Sequence, residues 1–446
     1  MILNTFSSIL KIEDLRKKFV FTISLLAVYR IGIFVSLPGV DAAAMREYMQ
    51  GGSNQFLGFV NLFSGGALEQ LSIFALGVMP YISASIIFQL LGFLIPSIQK
   101  MQKEGEQGRQ KINQYTRYAA VLIAAVQGLL LTLNLDNFKI GNRVIVDSLS
   151  PLFVVSTVVT LSAGTVFVMW LGEQIAERGI GNGMSILIFA GIIARLPAAI
   201  LHSFSALKSG TLQPLQMLEL VVFVSFSIVV VIFFERGQRK IPIQYPKRGA
   251  VVDQFGQTQS SNSLSMSHLP LKVNSAGVMP PILASSVMIA PLTLANYVHY
   301  KPLQDFFQAF RPGSLIYNVV FALLIVFFSY FYTAVTFNPV DVADNIKKNG
   351  GFIPGIRPGK NTAEFIDFVL SRITVAGAAY ITMICLIPSF LLERYGGMFY
   401  FGGTSLLIVV GVALDTVSQI ESHLIMKNYE GFSGSKGPRI RGRRDF

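Results

Sequence analysis

Apolar residues in this chain gather into ten runs of 18 to 23 residues, separated by polar stretches. A helix needs about 20 mostly apolar residues to cross the hydrocarbon of a bilayer, so each run predicts a membrane span. The first five are Phe19 to Leu37, Ile73 to Ile95, Thr116 to Leu133, Leu152 to Leu171 and Met184 to Leu201. The second five are Leu215 to Phe234, Val273 to Thr293, Leu315 to Val335, Ile373 to Leu392 and Phe399 to Val417. Helices are required because hydrocarbon offers no partner to an unpaired backbone group. The period-two alternation of a barrel strand is absent from these runs. The expected fold is therefore an all-α polytopic membrane protein with ten transmembrane helices. The five-plus-five arrangement points to two inverted five-helix halves. They are residues 1–201 and 202–418, followed by a basic tail over 419–446.

Composition supports the same class. Charged residues make up 13% of the 446, too few to clothe a water-soluble surface, and the apolar set reaches 52%. An ordinary soluble domain carries about 25% charged residues, whereas a disordered chain would be far less hydrophobic. The single Cys385 lies inside an apolar run and the four histidines are scattered, so neither a disulfide framework nor a metal site is expected. The start resembles a secretory signal, with Lys11, Arg16, Lys17 and Lys18 ahead of an apolar run and small residues at Ala42 to Ala44. A secretory core is about 7–15 residues long. This run has 19, carries Arg30 and precedes nine others, so it reads as a retained first span.

Charge then sets the topology. If both termini share one side, that side holds 27 of the 36 Lys and Arg; the opposite side holds 8, counting Arg195 near the outer end of span five, and Arg30 lies within the first span. Under the positive-inside rule this places both ends in the cytoplasm. The two long cytoplasmic loops, 235–272 and 336–372, are basic and interleaved with Pro and Gly. The first contains Arg236, Arg239, Lys240, Lys247 and Arg248, followed by a Gln/Ser-rich tip from Gln254 to Ser267. Such loops can bind anionic lipid headgroups or dock a macromolecule, including the phosphates of structured RNA. Charge alone does not choose among lipid, RNA and protein.

The spans lack catalytic and ion-coupling chemistry. No HExxH, GxSxG or P-loop motif occurs. Gly179-Ile180-Gly181-Asn182-Gly183 has no strand before it and reads as a cytoplasmic turn. Ion-coupled transporters carry ionisable groups at mid-membrane. Here no span holds His, and Asp415 and Glu173 lie near span ends. Arg30 is expected to face the bundle interior and bond carbonyls, and Arg195 to snorkel outward. A solute- or ion-coupled transporter with inverted repeats is the alternative reading, weakened by this scarcity.

Other features suggest a pore. Asn61-Leu62-Phe63-Ser64-Gly65-Gly66-Ala67-Leu68 is apolar but too short to cross, as a re-entrant segment buried in protein would be. Ile82 and Ile86 stand one helical turn apart in span two, and Ile188 and Ile192 repeat that spacing in span five. In span seven, Pro280-Pro281 is expected to interrupt the hydrogen-bond ladder.

Five stretches resemble the SecY/Sec61 alpha family of protein-conducting channel subunits. They are Leu76-Gly77-Val78-Met79-Pro80-Tyr81-Ile82-Ser83-Ala84-Ser85-Ile86, Glu177-Arg178-Gly179-Ile180-Gly181-Asn182-Gly183, Leu269-Pro270-Leu271-Lys272-Val273-Asn274, Gly355-Ile356-Arg357-Pro358-Gly359, and Tyr400-Phe401-Gly402-Gly403-Thr404-Ser405-Leu406-Leu407-Ile408. The resemblance spans essentially the whole chain. It implies a clamshell whose halves enclose an hourglass pore in a bacterial inner membrane. The waist would be ringed by Ile82, Ile86, Ile188, Ile192, Ile282 and Ile408, with a plug at about 60–71 containing Asn61 to Leu68. Spans two and seven would part to release signal sequences and transmembrane segments into membrane lipid. Lys247 and Arg248 would help dock the ribosome, Arg357 the SecA motor ATPase or the ribosome, and Arg239 and Lys240 would belong to the same motor or ribosome docking set. SecE and SecG would be the small membrane partners, and no cofactor is implied. Three features depart from the family pattern: the tip at Gln254 to Ser267, the Pro280-Pro281 pair, and Arg195 where small residues are usual.

Overall fold

The computed structural model describes residues 12–50, 58, 61, 63–135, 139–140, 143–144, 146, 150–210, 213–245, 265–295, 314–395 and 403–433. Each predicted apolar run falls on helix. The first half contains α1 (Glu13–Ile33), α2 (Ala42–Gln50), α3 (Met79–Leu94), α4 (Pro96–Lys103) and α5 (Glu106–Asn134). A two-residue-stranded hairpin, β1 (Lys139–Ile140) and β2 (Arg143–Val144), leads to α6 (Pro151–Arg178), α7 (Gly183–Ile193) and α8 (Leu196–Lys208). The second half contains α9 (Pro214–Arg236), β3 (Gln238–Tyr245), β4 (Ser265–Lys272), α10 (Met279–Ala295), α11 (Leu315–Thr336) and α12 (Pro339–Lys348). It ends with α13 (Lys360–Tyr395) and α14 (Gly403–Ser433).

Among the described residues, seven helical stretches are long and apolar enough to cross a membrane, α7 and α8 counting together as one, or eight if the bent pair α3 and α4 is also one span. The other two predicted spans fall short for local reasons. The first turns of α1 are charged by Glu13, Asp14, Arg16, Lys17 and Lys18, with Arg30 in its last turn. Helix α10 has 17 residues, because it begins at Met279 rather than at Val273. Pro280 and Pro281 therefore occupy its first turn instead of interrupting it, where backbone N–H groups have no intrahelical partner to lose. Span two is likewise shorter than its apolar run. Ser64 to Val78 is turn, apart from a single bridge residue at Ser72, and Ile95 is extended before Pro96 opens α4. At the other end, α14 continues to Ser433, so the first part of the expected tail is helix.

The chain divides into two compact units, Met1–Ile200 with Val412–Phe446, and Leu201–Gly411. In the first, α3 packs on α5, α5 on α6 and α6 on α7. The turn at Gly179 to Gly183 is tight. Gly181 has φ +85°, Asn182 caps α7 by accepting from the Ser185 amide, and the Ile180 amide donates to Thr22 Oγ1. Ile180 also packs with Leu15 and Ile420, which ties the late part of α14 to this unit.

The second unit holds a feature the apolar runs did not announce. Strands β3 and β4 form an eight-residue antiparallel ribbon, and Gln244 exchanges backbone hydrogen bonds with Phe352 of the second long loop. Ile241, Ile243 and Leu271 from the ribbon bury against Ile346 of α12, Ile353 of the loop, and Ile366 and Val369 of α13. The described parts of the two loops are thus one hydrophobic body. Ile366 is fully buried at its centre. Large-to-small changes at such sites cost about 2–5 kcal/mol. Ile366→Ala is therefore expected to loosen the ribbon and speed limited proteolysis of the 235–272 loop in mild detergent. A parent-like cleavage rate would count against a shared core.

Candidate functional site

The segment after α2 is irregular yet buried. Asn61, Phe63, Ser64, Ala67, Leu68, Leu71 and Ser72 are all at most 1% exposed. Backbone groups placed this way need partners inside the protein. Several are local: the Gly66 amide donates to the Asn61 carbonyl, the Ser72 amide to Ala67, and the Leu71 amide to Leu68. The stretch leading out of α1 supplies others. The Leu37 amide donates to the Leu71 carbonyl and the Ile73 amide to the Val35 carbonyl, forming a short bridge between Ser36 and Ser72.

Side chains complete the seat. Tyr29, fully buried on α1, donates to the Ser64 carbonyl at 3.2 Å, and Arg30 Nη1 donates to the Gly65 carbonyl at 3.1 Å. Arg30 thus faces inward and bonds a carbonyl. Arg195, expected to snorkel, instead pairs with Glu69: Nη2 donates to Oε2 at 2.8 Å. Asn61 Nδ2 donates to the same oxygen at 3.2 Å, and the Glu69 amide donates to Asn61 Oδ1 at 3.1 Å. Gly65 meets Gly191 of α7 backbone to backbone. A Cβ added to Gly65 would lie 2.8 Å from the Gly191 Cα, and one added to Gly191 would lie 2.9 Å from the Gly65 Cα.

Of the expected plug residues, Leu62 lies outside the described residues; Asn61 and Phe63 are helical, and Ser64, Gly65, Gly66, Ala67 and Leu68 open the seated turn. The six isoleucines are all buried. Ile82 and Ile86 share one face of α3, while Ile87 beside them is 44% exposed. Ile188 and Ile192 share a face of α7. Ile282 is in α10 and Ile408 in α14, both in the second unit.

A membrane chain with a seated irregular segment and inward apolar helix faces can now be set beside known proteins. The family model for SecY matches residues 72–417. The chain belongs to the SecY family. It is 46% identical to the protein translocase subunit SecY of Vibrio cholerae serotype O1 over 426 residues, covering 94% of each chain. It is also 46% identical to that of Escherichia coli K12 over 421 residues, covering 94% of this chain and 93% of the relative. Its fold is that of a solved protein-conducting channel, with TM-score 0.66 at 17% identity over 94% of this chain and 95% of that one. A SecY structure, described as showing that the plug domain stabilises the closed state and maintains a membrane seal, aligns with TM-score 0.63 at 17% identity over the same shares. Sec61 in the canine ribosome-channel complex aligns with TM-score 0.62 at 15% identity, again over 94% and 95%. The SecY fold is thus shown for this chain, and membership of the family does not favour the transporter reading.

In this SecY chain the basic docking candidates fall on the hydrophobic body of the second unit. Arg239 and Lys240 are exposed on β3, and Arg357 is exposed in the loop between α12 and α13. That loop is pinned: the Arg357 carbonyl accepts from Thr362 Oγ1 at 3.0 Å, and the Ile356 amide donates to Ile353. The structure therefore joins Arg239, Lys240 and Arg357 on one body, although 117 residues separate Lys240 from Arg357. Lys247, Arg248 and the tip from Gln254 to 264 lie outside the described residues, while Ser265 to Ser267 belong to β4.

Sequence reasoning missed two polar sites. One is the Glu69–Arg195 pair. The other joins α9, α13 and the approach to α10. Asn274 Nδ2 donates to Glu235 Oε1 at 2.6 Å and to the Gly277 carbonyl at 3.0 Å, and Tyr380 Oη donates to the same Glu235 oxygen at 3.2 Å. The available signal was a charged or amide residue at the edge of an apolar run, which marks a partner but not which one. Among the described residues, no group of three or more His, Cys, Asp or Glu could hold a metal ion.

The Gly65–Gly191 approach has a direct test. A β-branched side chain at position 191 must push the 64–66 turn out of its seat. With Cys385 replaced by Ser, Gly191→Val is expected to raise the labelling rate of a cysteine at position 63 at least several-fold in sealed vesicles. Equal rates with Gly and Val would mean the turn does not depend on that approach.

Proposed function

We propose that this chain is the channel subunit of a Sec protein translocase, passing unfolded secretory polypeptides across a membrane and releasing transmembrane segments sideways into lipid. The observation that carries this reading is the buried irregular segment from Ser64 to Val78. Hydrocarbon excludes such backbone unless it is enclosed by protein or lines a cavity, so a segment seated this way suits a plug. The printed name of the 42–46% identical relatives, protein translocase subunit SecY, supports the same assignment.

Ile82, Ile86, Ile188, Ile192, Ile282 and Ile408 form the apolar waist in this reading, supported by their burial. An apolar constriction resists water and ions by dewetting. It also offers no specific hydrogen bond to a sliding polypeptide, so nearly any sequence passes. The stiff χ1 of Ile holds the shape of the idle constriction. A signal sequence opens the channel only by binding its open state better than its closed one. Its apolar face contributes roughly 25 cal/mol per Å² moved out of water. The separation of spans two and seven provides its exit.

The bias of Lys and Arg supports both termini facing the cytoplasm, and the likeness to SecY of Vibrio cholerae and Escherichia coli supports a bacterial inner membrane. Direction comes from outside the channel: a ribosome or the SecA motor docks on Arg239, Lys240, Lys247, Arg248 and Arg357, while SecE and SecG complete the membrane assembly. The ribosome in the Sec61 complex is consistent with such docking.

The waist is tested at Ile408. An Asn amide holds water by its own donors and acceptors. Ile408→Asn is expected to give measurable idle ion conductance in planar bilayers and to pass substrates with defective signal sequences. An Asn variant that assembles normally and stays as ion-tight as its parent would remove Ile408 from the constriction.

Docking is tested at Arg357. Charge reversal, Arg357→Glu, is expected to lower ATP-dependent uptake of a secretory substrate at least fivefold in vesicles supplied with the motor, at unchanged channel abundance. Unchanged uptake would make Arg357 a solvated loop residue.

A further inference from the structure

We propose that the Glu69–Arg195 ion pair is the releasable tie that holds the plug closed, and so sets how stringently the channel selects signal sequences. This rests on the plug reading of the preceding section. Besides the backbone bonds to Val35 and Leu37 and the Gly65–Gly191 approach, three kinds of side-chain contact seat the segment. Burial of Phe63, Leu68 and Leu71 is non-directional, and the bonds from Tyr29 and Arg30 reach only backbone carbonyls. Glu69–Arg195 alone among the described ion pairs joins a charge on the segment to a charge on a span.

Local geometry prepares both partners. Helix α7 ends at Ile193 and α8 starts at Leu196, so Arg195 sits at a break in the helical path, its amide bonded to the Ile192 carbonyl. On the segment, Asn61 brackets Glu69: its amide nitrogen donates to Oε2 while its oxygen accepts from the Glu69 backbone. The carboxylate is therefore held in place before Arg195 reaches it, which cuts the ordering penalty on closure.

Exposure fits a tie that must open. The Arg195 and Glu69 side chains are 28% and 21% exposed. A fully buried pair strands an uncompensated charge when parted, and a fully exposed pair holds almost nothing. A pair between these limits grips the closed state, yet both charges regain water when the segment leaves. Its grip should also weaken as salt screens it.

The test uses the full chain with its membrane partners in sealed vesicles, carrying Phe63→Cys and Cys385→Ser. An impermeant thiol reagent reads how often the segment leaves its seat. Glu69→Arg and Arg195→Glu should each raise idle labelling about tenfold, equivalent to about 1.4 kcal/mol. Each should also export substrates with defective signal sequences. The double exchange Glu69→Arg with Arg195→Glu restores opposite charges and should return labelling to within about threefold of the parent. Raising salt should speed labelling of the parent but not of Glu69→Gln. If a reversal fails to accumulate, Glu69→Gln and Arg195→Gln carry the comparison, with a smaller rise expected. Parent-like labelling in the single variants, or a double exchange as open as the singles, overturns the tie. A trapped translocating chain separates the two readings. If it leaves labelling at position 63 unchanged, the plug itself fails. If it raises labelling while the charge changes do nothing, only the tie fails.

Discussion

Inside a bilayer every backbone N–H and C=O has to find its partner within the protein, and this single requirement organises the first unit. Helices meet it by themselves; the stretch from Ser64 to Val78 cannot. Its carbonyls and amides are answered by Tyr29, Arg30, Val35 and Leu37, all in or just after the first helix. Close approach is what makes those bonds reachable. Gly164 on α6 leaves room for the Ile73 carbonyl, which would stand 1.9 Å from an added Cβ. Gly32 does the same for the Phe74 ring. Small residues on three helices thus convert an energetically forbidden loop into a stable part of the core.

The polar groups inside the membrane region serve the same end. Arg30 and Arg195 both spend their donors on one short segment. Arg117 pairs with Glu173 between α5 and α6 at 2.6 Å. In the second unit Glu235 gathers Asn274 and Tyr380, fixing the chain just before α10 begins. A coupled transporter would leave such groups facing a solute site. Here they bond one another and the backbone, which accords with a conduit whose lining carries little chemistry.

Much of this was legible in the sequence, because hydrophobic run length is governed by the bilayer and not by distant contacts. Each of the ten runs is helical over most of its described length. Their ends were less legible: Pro280-Pro281 reads as a break, yet the pair opens α10, since proline suits a first turn as well as it disrupts an interior. The ribbon of β3 and β4 was visible only as the alternation Ile241, Ile243, Tyr245, hidden among basic residues and prolines. Pro242 and Pro270 are tolerated there because a two-stranded ribbon has a free side on each strand. The partnership of Glu69 with Arg195 was beyond reach, since 126 positions separate them and no periodicity links them.

Helix α13 runs for 36 residues, about 54 Å at 1.5 Å per residue, and its one proline, Pro388, falls only in its last eight residues. Hydrocarbon accounts for only about 30 Å of that. The remainder begins at Lys360 and is clasped by the ribbon and second loop through Ile366 and Val369. A force applied to that body is not dissipated in a slack connection. It reaches the bilayer as torque on a stiff shaft, so a load on the loops would tilt a transmembrane helix directly.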